Sequence, residues 1–323
     1  MMTAISTLLS GVSIGEPRRH GRLEIFPLFA TSMEADAFIL LDEALAAKSV
    51  EVTETSDSGS VPVLKLLSRS AVPVLLLDGE ELIGAKQNRI LNASILAPAE
   101  ADMLLPVSCV EAGRWRYSTS SFRAADHALF AKARARKASR MAAMHVERRA
   151  VGGSSAYSVA RQYDANQHEV WSDVSGKLGR MRVDSPSSAI SDGYESYGER
   201  LREFETALEP VPAQRGAAFV LDGRVVGIEL LATEAAFRAI YRKLLKSYAF
   251  DALEVSDVTA PTVPTKADVE AFIARVLGSA MSSAPSAGLG LDVRLAGEGC
   301  SGHALVHDES VLHLAAFDEQ LAV

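Results

Sequence analysis

The sequence predicts an α+β fold with a β-rich N-terminal part built from hairpins, a helical middle segment and a C-terminal α+β part. Three observations carry this expectation. Through most of residues 1–120 apolar residues alternate with polar ones or gather in short runs bounded by turn residues, the pattern of strands. From Ser121 onward alanine and arginine replace the β-branched residues. After residue 194, stretches with apolar residues at helical spacing are interleaved with short apolar runs broken at Asp-Gly or Asp-Glu. At 323 residues the chain can bury a large interior. We read it as one large domain with sub-regions at 1–120 (β-rich), 121–182 (a helical arm) and 194–323 (the closing α+β part).

Taken in order, Leu8 to Phe29 reads as two extended segments joined through Gly15–Gly21, with Val12, Ile14, Leu23 and Ile25 alternating. His20 sits at that tip as a loop histidine. Ala37–Leu40 is expected as a strand, Asp42–Lys48 as a short helix capped by Asp42, and Val50–Thr55 and Val61–Leu67 as further strands. The chain is organised around Val74 to Tyr117. There an apolar run meets Asp78-Gly79 and a second extended run follows, the strongest short-range signal for a hairpin with positive φ at the glycine. Glu80 follows this turn and is expected to face water. Lys86, Gln87, Asn88, Arg89 and Asn92 then crowd polar groups into a stretch that packing alone does not call for. Val107–Glu111 places Cys109 and Glu111 on one face by the period of two, and Gly113-Arg114-Trp115 adds a turn, a guanidinium and an indole.

Beyond Ser121, Lys132, Arg134, Arg136, Lys137 and Arg140 form the one dense basic run. It is read as the solvated face of a projecting helix, because so many cations cannot be buried without matching acids. Gly152–Ser155 breaks that helix, and Val159 to Leu178 reads as a second, amphipathic one. Val183–Gly193 is the most linker-like segment, either a boundary or a loop beside a site. Leu201, Phe204 and Leu208 mark a helix ended by Pro210 and Pro212; Ala217–Leu231 repeats the Asp-Gly hairpin pattern, a weak sign of duplication. Thr233 caps the next helix, Thr265 and Asp268 open another that Gly278 ends, and Ser279–Gly288 is a small-residue loop. Leu289–Leu295 and His303–Leu314 are closing strands, the latter folded at Asp308-Glu309.

Hydrophobic residues at 48% and charged residues at 23% match an ordinary folded protein, and the net charge of −8 removes any general attraction to nucleic acid or anionic lipid. Two cysteines are too few for a disulfide framework, and no apolar run approaches a membrane span, so a cytoplasmic protein is expected. Glycine-rich phosphate loops, a Gly-x-Ser-x-Gly elbow and His-Glu-x-x-His are all missing from the sequence. Cys300, His303 and His307 carry zinc-ligand chemistry in a stretch that reads as a hairpin, and no metal site is assigned. Cofactors stay unknown.

The candidate site is therefore Lys86, Gln87, Asn88, Arg89, Arg114 and Trp115 as ligand-binding groups, with Glu111 and Cys109 as catalytic candidates. Glu111 is either a general acid or base or half of an ion pair with Arg114 that locks the turn. Cys109 is either a thiolate or a small buried hydrophobe.

Leu77 to Arg89 together with Val107–Glu111 and Gly113-Arg114-Trp115 resembles the ARG and rhodanese-phosphatase-superfamily-associated protein domain, a bacterial family. Gly11–Pro17 and Leu41–Leu45 resemble it too, and the similarity extends over most of the chain. The family name records an association with ADP-ribosylglycohydrolase and rhodanese-phosphatase superfamilies. It implies a context of ADP-ribose and phosphates and no particular activity.

Two functions follow as expectations. One is a protein that binds, and on a stronger version processes, a small anionic metabolite of the nucleotide or ADP-ribose kind at Lys86–Trp115. The alternative is a non-catalytic structural or interaction protein, compatible with a homo-oligomer. Nucleic acid and membrane are not expected partners, and whether the chain is an enzyme stays open. A cleft holding Lys86, Arg89, Glu111 and Trp115 supports the first; full burial with every polar atom paired supports the second.

Overall fold

A computed structural model describes residues 2–30, 37–147, 156–255 and 263–322. The chain opens on helix α1 (Met2–Ser10), followed by β1 (Ser13–Ile14), β2 (Arg18–His20), β3 (Leu23–Phe29), β4 (Ile39–Leu40), α2 (Leu41–Ala46), β5 (Val50–Thr53) and β6 (Val63–Ser68). Next come β7 (Val74–Leu76), β8 (Glu80–Gly84), β9 (Arg89–Leu91), β10 (Ile95–Ala97), β11 (Met103–Cys109) and β12 (Phe122–Ala128). The helical middle is α3 (Ala131–Glu147), α4 (Ala156–Gln162), α5 (Gln167–Arg180), α6 (Ile190–Ser196) and α7 (Gly198–Ala207). Then follow β13 (Gly216–Leu221), β14 (Arg224–Leu231), α8 (Glu234–Ala252) and α9 (Lys266–Leu277). The strands β15 (Ala280–Pro285), β16 (Leu291–Gly297), β17 (Cys300–His307) and β18 (Ser310–Asp318) end the fold, which is α+β.

Most of the C-terminal strands enter one antiparallel sheet of nine, in the order β1-β3-β13-β14-β18-β17-β16-β15 with β2 also on β3. Its strands are apolar on both faces because both are covered. Phe26, Leu28, Ala218, Val220, Ile228, Leu230, Leu314 and Ala316 pack with Ile5 and Leu8 of α1 and Phe272 and Val276 of α9. The alternate residues Ile25, Ala217, Phe219, Ala315 and Phe317 pack with Phe237, Leu244 and Tyr248 of α8 and the alanines of α3. The second layer holds a six-stranded sheet, β12-β8-β9-β11-β6-β5, and a three-stranded one, β10-β7-β4.

The Asp78-Gly79 turn forms as expected, with Gly79 at φ +83° and Glu80 N–H donating to the Leu77 carbonyl at 3.2 Å. It does not make a hairpin. β7 pairs with β10 and β4, whereas β8 pairs with β9 and β12, so the turn is a corner between two sheets. The reason is electrostatic: Asp78 and Glu80 are both buried, Asp78 against Lys137 at 2.6 Å and Glu80 against Lys243 at 2.7 Å. Glu80 does not face water, and its other oxygen accepts from Leu77 N–H at 2.8 Å, closing the turn from within. A Cβ at Gly79 would stand 2.9 Å from the Arg134 side chain, so glycine serves both the positive φ and that contact. The Asp222-Gly223 turn, with both residues at positive φ, does join a paired hairpin.

Helix α3 corrects the exposed basic face. Arg134 and Lys137 lie inside the protein, and the acids that permit it come from distant strands: Glu229 meets Arg134 at 2.6 Å and Asp78 meets Lys137. Only the outer side of the run meets water, where Arg140 pairs with Glu169 at 2.8 Å. The arm is thus packed down on the nine-stranded sheet, and its first residues are strand, since Phe122–Ala128 pairs with β8. The break expected at Gly152–Ser155 lies outside the described residues.

Smaller differences have local causes. Met2–Ser10 is a helix because Ala4, Ile5, Leu8 and Leu9 supply an apolar stripe at its spacing. The short helix after β4 starts at Leu41 without a side-chain cap, so Asp42 is not its N-cap. Val159 to Leu178 is split between α4 and α5, and Ser279–Gly288 contains the edge strand β15. Thr233 and the Thr265–Asp268 capping box do open α8 and α9.

One pH effect follows from β8 and β12. His127 Nε2 meets the buried Glu81 at 2.7 Å, and its ring stacks on Tyr194 at 3.9 Å. Burial alone would lower the imidazole; Glu81 and Asp126 overrule it and raise the folded-state pKa above the ordinary 6.5. A raised folded pKa contributes stability in full below the unfolded value, and this is lost as pH rises through the folded one. Melting temperatures measured from pH 6 to 9 are therefore expected to fall more steeply in the parent than in His127→Gln.

Candidate functional site

β8 ends at Gly84, where positive φ at Gly84 and Ala85 turns the chain out of the sheet and presents residues 85–88 as a bend before β9. β9 lies beside β11 in register, with Arg89 opposite Cys109. The chain then leaves β11 through Val110 and Glu111 into a loop running from Ala112 to Ser120. Bend, strand end and loop therefore meet at one corner.

The corner has a saturated half. Glu111 Oε1 accepts from Arg114 Nε and from Ser187 Oγ, both at 2.8 Å. Its Oε2 accepts from the Asn88 backbone N–H at 3.0 Å and lies 2.6 Å from Arg114 Nη2. Arg114 Nη2 also donates to Asn88 Oδ1 at 3.0 Å, Asn88 Nδ2 donates to Ser191 Oγ at 3.2 Å, and Gln87 Nε2 donates to the Glu111 carbonyl at 2.9 Å. Burial pushes the Glu111 carboxyl up, but Arg114, the Asn88 N–H and Ser187 together bring it below its ordinary value. With four donors on two oxygens it is an ionised anchor and has no lone pair in place to receive a substrate proton.

The other half is unsaturated. Arg89 is fully buried; its Nη1 donates to Gln87 Oε1 at 3.1 Å, and its Nε and Nη2 have no hydrogen-bond partner. The nearest carboxylate oxygen is Glu54 Oε1 at 4.0 Å, and Glu54 Oε2 is also buried without a partner. Burial lowers the Arg89 guanidinium from its ordinary value, which Cys109 and Glu54 partly offset. Over it stands Trp115, 47% exposed, with the guanidinium carbon 5.6 Å from the indole centroid. Lys86 Nζ donates to the Ser58 carbonyl at 2.9 Å and lies 5.3 Å from the Trp115 ring and 5.0 Å from that of Tyr117, itself 49% exposed. The turn at Gly59 roofs this half: a Cβ there would be 3.3 Å from both Glu54 Oε2 and Trp115.

The structure thus brings together Lys86, Gln87, Asn88, Arg89, Cys109, Glu111, Arg114 and Trp115. Cys109 is free and buried, its Sγ 3.3 Å from the Glu111 carbonyl, and burial pushes the thiol above its ordinary value. That is a protonated thiol, and its backbone is clasped by Gln167 from both sides at 2.8 and 2.7 Å. Glu54, Ser187, Ser191 and Gln167 were not legible as site residues. The signal for the serines was indirect: the linker-like stretch before Gly193 forms a bridge between Ala189 and Glu111, and so belongs beside the site.

Cys300 and His303 do not converge. Cys300 packs on the α9 side of the nine-stranded sheet near Ser279, while His303 points to the α3 side. Among the described residues no three His, Cys, Asp or Glu side chains are placed to hold a metal ion, and no helix is long and apolar enough to cross a membrane.

No curated protein matches the chain, and no solved structure does. One family model does, over residues 11–317, which takes in every strand from β1 to nearly the end of β18 and the whole of the corner described above. The chain belongs to the family of the ARG and Rhodanese-Phosphatase-superfamily-associated Protein domain.

Proposed function

We propose that the chain is a cytoplasmic protein that binds a small anionic metabolite of the nucleotide or ADP-ribose kind at the corner formed by Lys86, Arg89, Trp115 and Tyr117. The observation that carries the reading is Arg89, a fully buried guanidinium with two nitrogens lacking hydrogen-bond partners beneath a half-exposed indole. Buried donors left unmet are costly, and a phosphate or carboxylate entering under Trp115 meets them. Trp115 and Tyr117 offer flat apolar faces to a base, worth roughly 1–3 kcal/mol per stacked base. The company recorded in the family's name, enzymes of ADP-ribose and phosphate chemistry, agrees with this class of ligand.

A thermal-shift series with ADP-ribose, nucleotides and sugar phosphates tests it. A ligand at ~100 times its dissociation constant is expected to add roughly 2.7 kcal/mol to the parent. Arg89→Met and Lys86→Ala are expected to abolish that shift. No shift in the parent with any member of the series would sink the reading.

A second reading has its own observation in the saturated half. Glu111, Arg114, Asn88 and Gln87 satisfy one another as a structural lock does, and on that reading Arg89→Met lowers stability while no ligand moves the melting temperature.

A further inference from the structure

A second constellation lies in the interior, between the nine-stranded sheet, α3 and the Asp78-Gly79 corner. By register, Glu229 stands opposite Ala315, which in turn stands opposite His303, and His303 opposite Arg294; His313, two residues from Ala315, shares their face. All of these side chains are buried. We propose that this face carries a nucleophile site for a small carboxylic ester, with Ser94 as nucleophile, His313 as its base, Glu229 orienting His313, and Arg134 holding the oxyanion.

The proton positions follow from the donors. Asp78 N–H donates to Ser94 Oγ at 3.0 Å, and Ser94 Oγ lies 2.7 Å from His313 Nδ1. His313 Nε2 lies 3.0 Å from Glu229 Oε2. Glu229 Oε1 receives Arg134 Nη1 at 2.6 Å and the Tyr248 hydroxyl at 3.2 Å, so this carboxylate is an acceptor throughout. His313 must then carry its proton on Nε2, which leaves Nδ1 as the acceptor for the Ser94 hydroxyl. A serine, a histidine in the right tautomer and a carboxylate fixed behind it are the three parts of an activated hydroxyl.

The surplus donors give the second, independent observation. Arg134 Nε faces the buried Asp78 Oδ2 at 3.8 Å, but Arg134 Nη2 has no hydrogen-bond partner, nor has either ring nitrogen of His303, whose centroid is 5.5 Å from that of His313. A ring built only to hold strands together has no use for the unmet Arg134 Nη2, whereas an oxyanion formed at Ser94 gives that donor an acceptor. Because Ser94, His313, Glu229 and Arg134 are all buried, the ester proposed is one with a small acyl group.

In the step proposed, the bond from Ser94 Oγ to the acyl carbon forms as the hydroxyl proton passes to His313 Nδ1. The carbonyl oxygen takes up the charge facing Arg134. Collapse breaks the ester C–O bond, and the alcohol leaves with the proton from His313. Water then attacks the acyl carbon as its proton passes to His313 Nδ1; collapse breaks the bond between the acyl carbon and Ser94 Oγ, His313 returns the proton to Oγ, and the acid leaves.

The test uses the full chain with methanesulfonyl fluoride and intact-mass spectrometry, alongside p-nitrophenyl acetate turnover. One sulfonyl adduct on Ser94 is expected, formed as the S–F bond breaks. Ser94→Ala, which keeps the volume and is checked for folding by near-UV circular dichroism, should lose the adduct and at least a hundredfold of the turnover. His313→Gln should slow labelling while Ser94 remains present. An unlabelled parent, an adduct elsewhere, or turnover unchanged in Ser94→Ala overturns the proposal and leaves the ring a structural one.

Discussion

Replacing Arg134 with methionine is expected to lower the free energy of unfolding by about 3–5 kcal/mol, read as a fall in the urea midpoint at unchanged slope. Methionine fills much of the volume, so the loss is electrostatic. Glu229 would keep His313 and Tyr248 but lose its cation, and Asp78, whose Oδ2 lies 3.8 Å from Arg134 Nε, would keep Lys137 alone. A buried carboxylate stripped of its partner costs far more than the pair contributes. The control is Arg134→Met with Glu229→Gln: removing the stranded charge should restore part of the loss, whereas a packing defect would leave the two losses additive. The same group sets the acid limit. Arg134 and His313 hold the Glu229 carboxyl down to about 2, below its ordinary 4.5, although burial pushes the other way. A depressed folded pKa contributes stability above the unfolded value that is lost as pH falls through the folded one. Stability should therefore drop between about pH 4.5 and 2, and less so in the double variant.

Glu111→Ala is expected to cost about 2–4 kcal/mol, somewhat less because Arg114 retains some contact with water. Four donors from three segments lose their acceptor at once: Arg114 in the loop, Asn88 in the bend and Ser187 before α6. Glu111→Gln keeps the shape, and its amide group faces at least one donor, so it should lose a smaller share. The pair of variants also separates two roles for this residue. An anchor shows its effect in the denaturation midpoint, while a general base would show it in turnover at unchanged stability.

The corner around Glu111 was legible because its chemistry is local. A bend with Lys86 to Arg89 and a strand end with Glu111 and Arg114 are near in the chain, and neighbouring strands share a sheet. Its unsaturated half was half legible: Arg89 and Trp115 stood out by type, whereas Glu54 reads as the end of an ordinary strand until the Gly59 turn folds back over it. The basic run of α3 reads as a solvated face in the sequence for a physical reason. Burial of Arg134 and Lys137 depends on acids on β14 and at the Asp78 corner, a pairing that spans most of the chain and leaves no mark in α3 itself. One clue was present: Glu229 stands between Ile228 and Leu230 inside an apolar run, and a lone carboxylate in a two-face-buried strand needs a buried cation somewhere. The Asp78-Gly79 turn makes the same point. Its backbone was foreseeable from two residues, but whether it closes a hairpin or a corner was decided by the ions around it.

The placement of β3 has a consequence for how the protein is made. Residues 23–29 take their main partners from residues 216–221, and only β1 and β2 are nearby in the chain. A ribosome releases the chain from its beginning, so Leu23, Ile25, Phe26 and Leu28 emerge as an apolar ribbon with one long edge vacant while most of the sheet is still untranslated. Such an edge is a template for wrong pairing. The large sheet can therefore be completed only after synthesis has passed its last strand, late and through long-range closure, and until then the vacant edge of the nascent chain stays open to association.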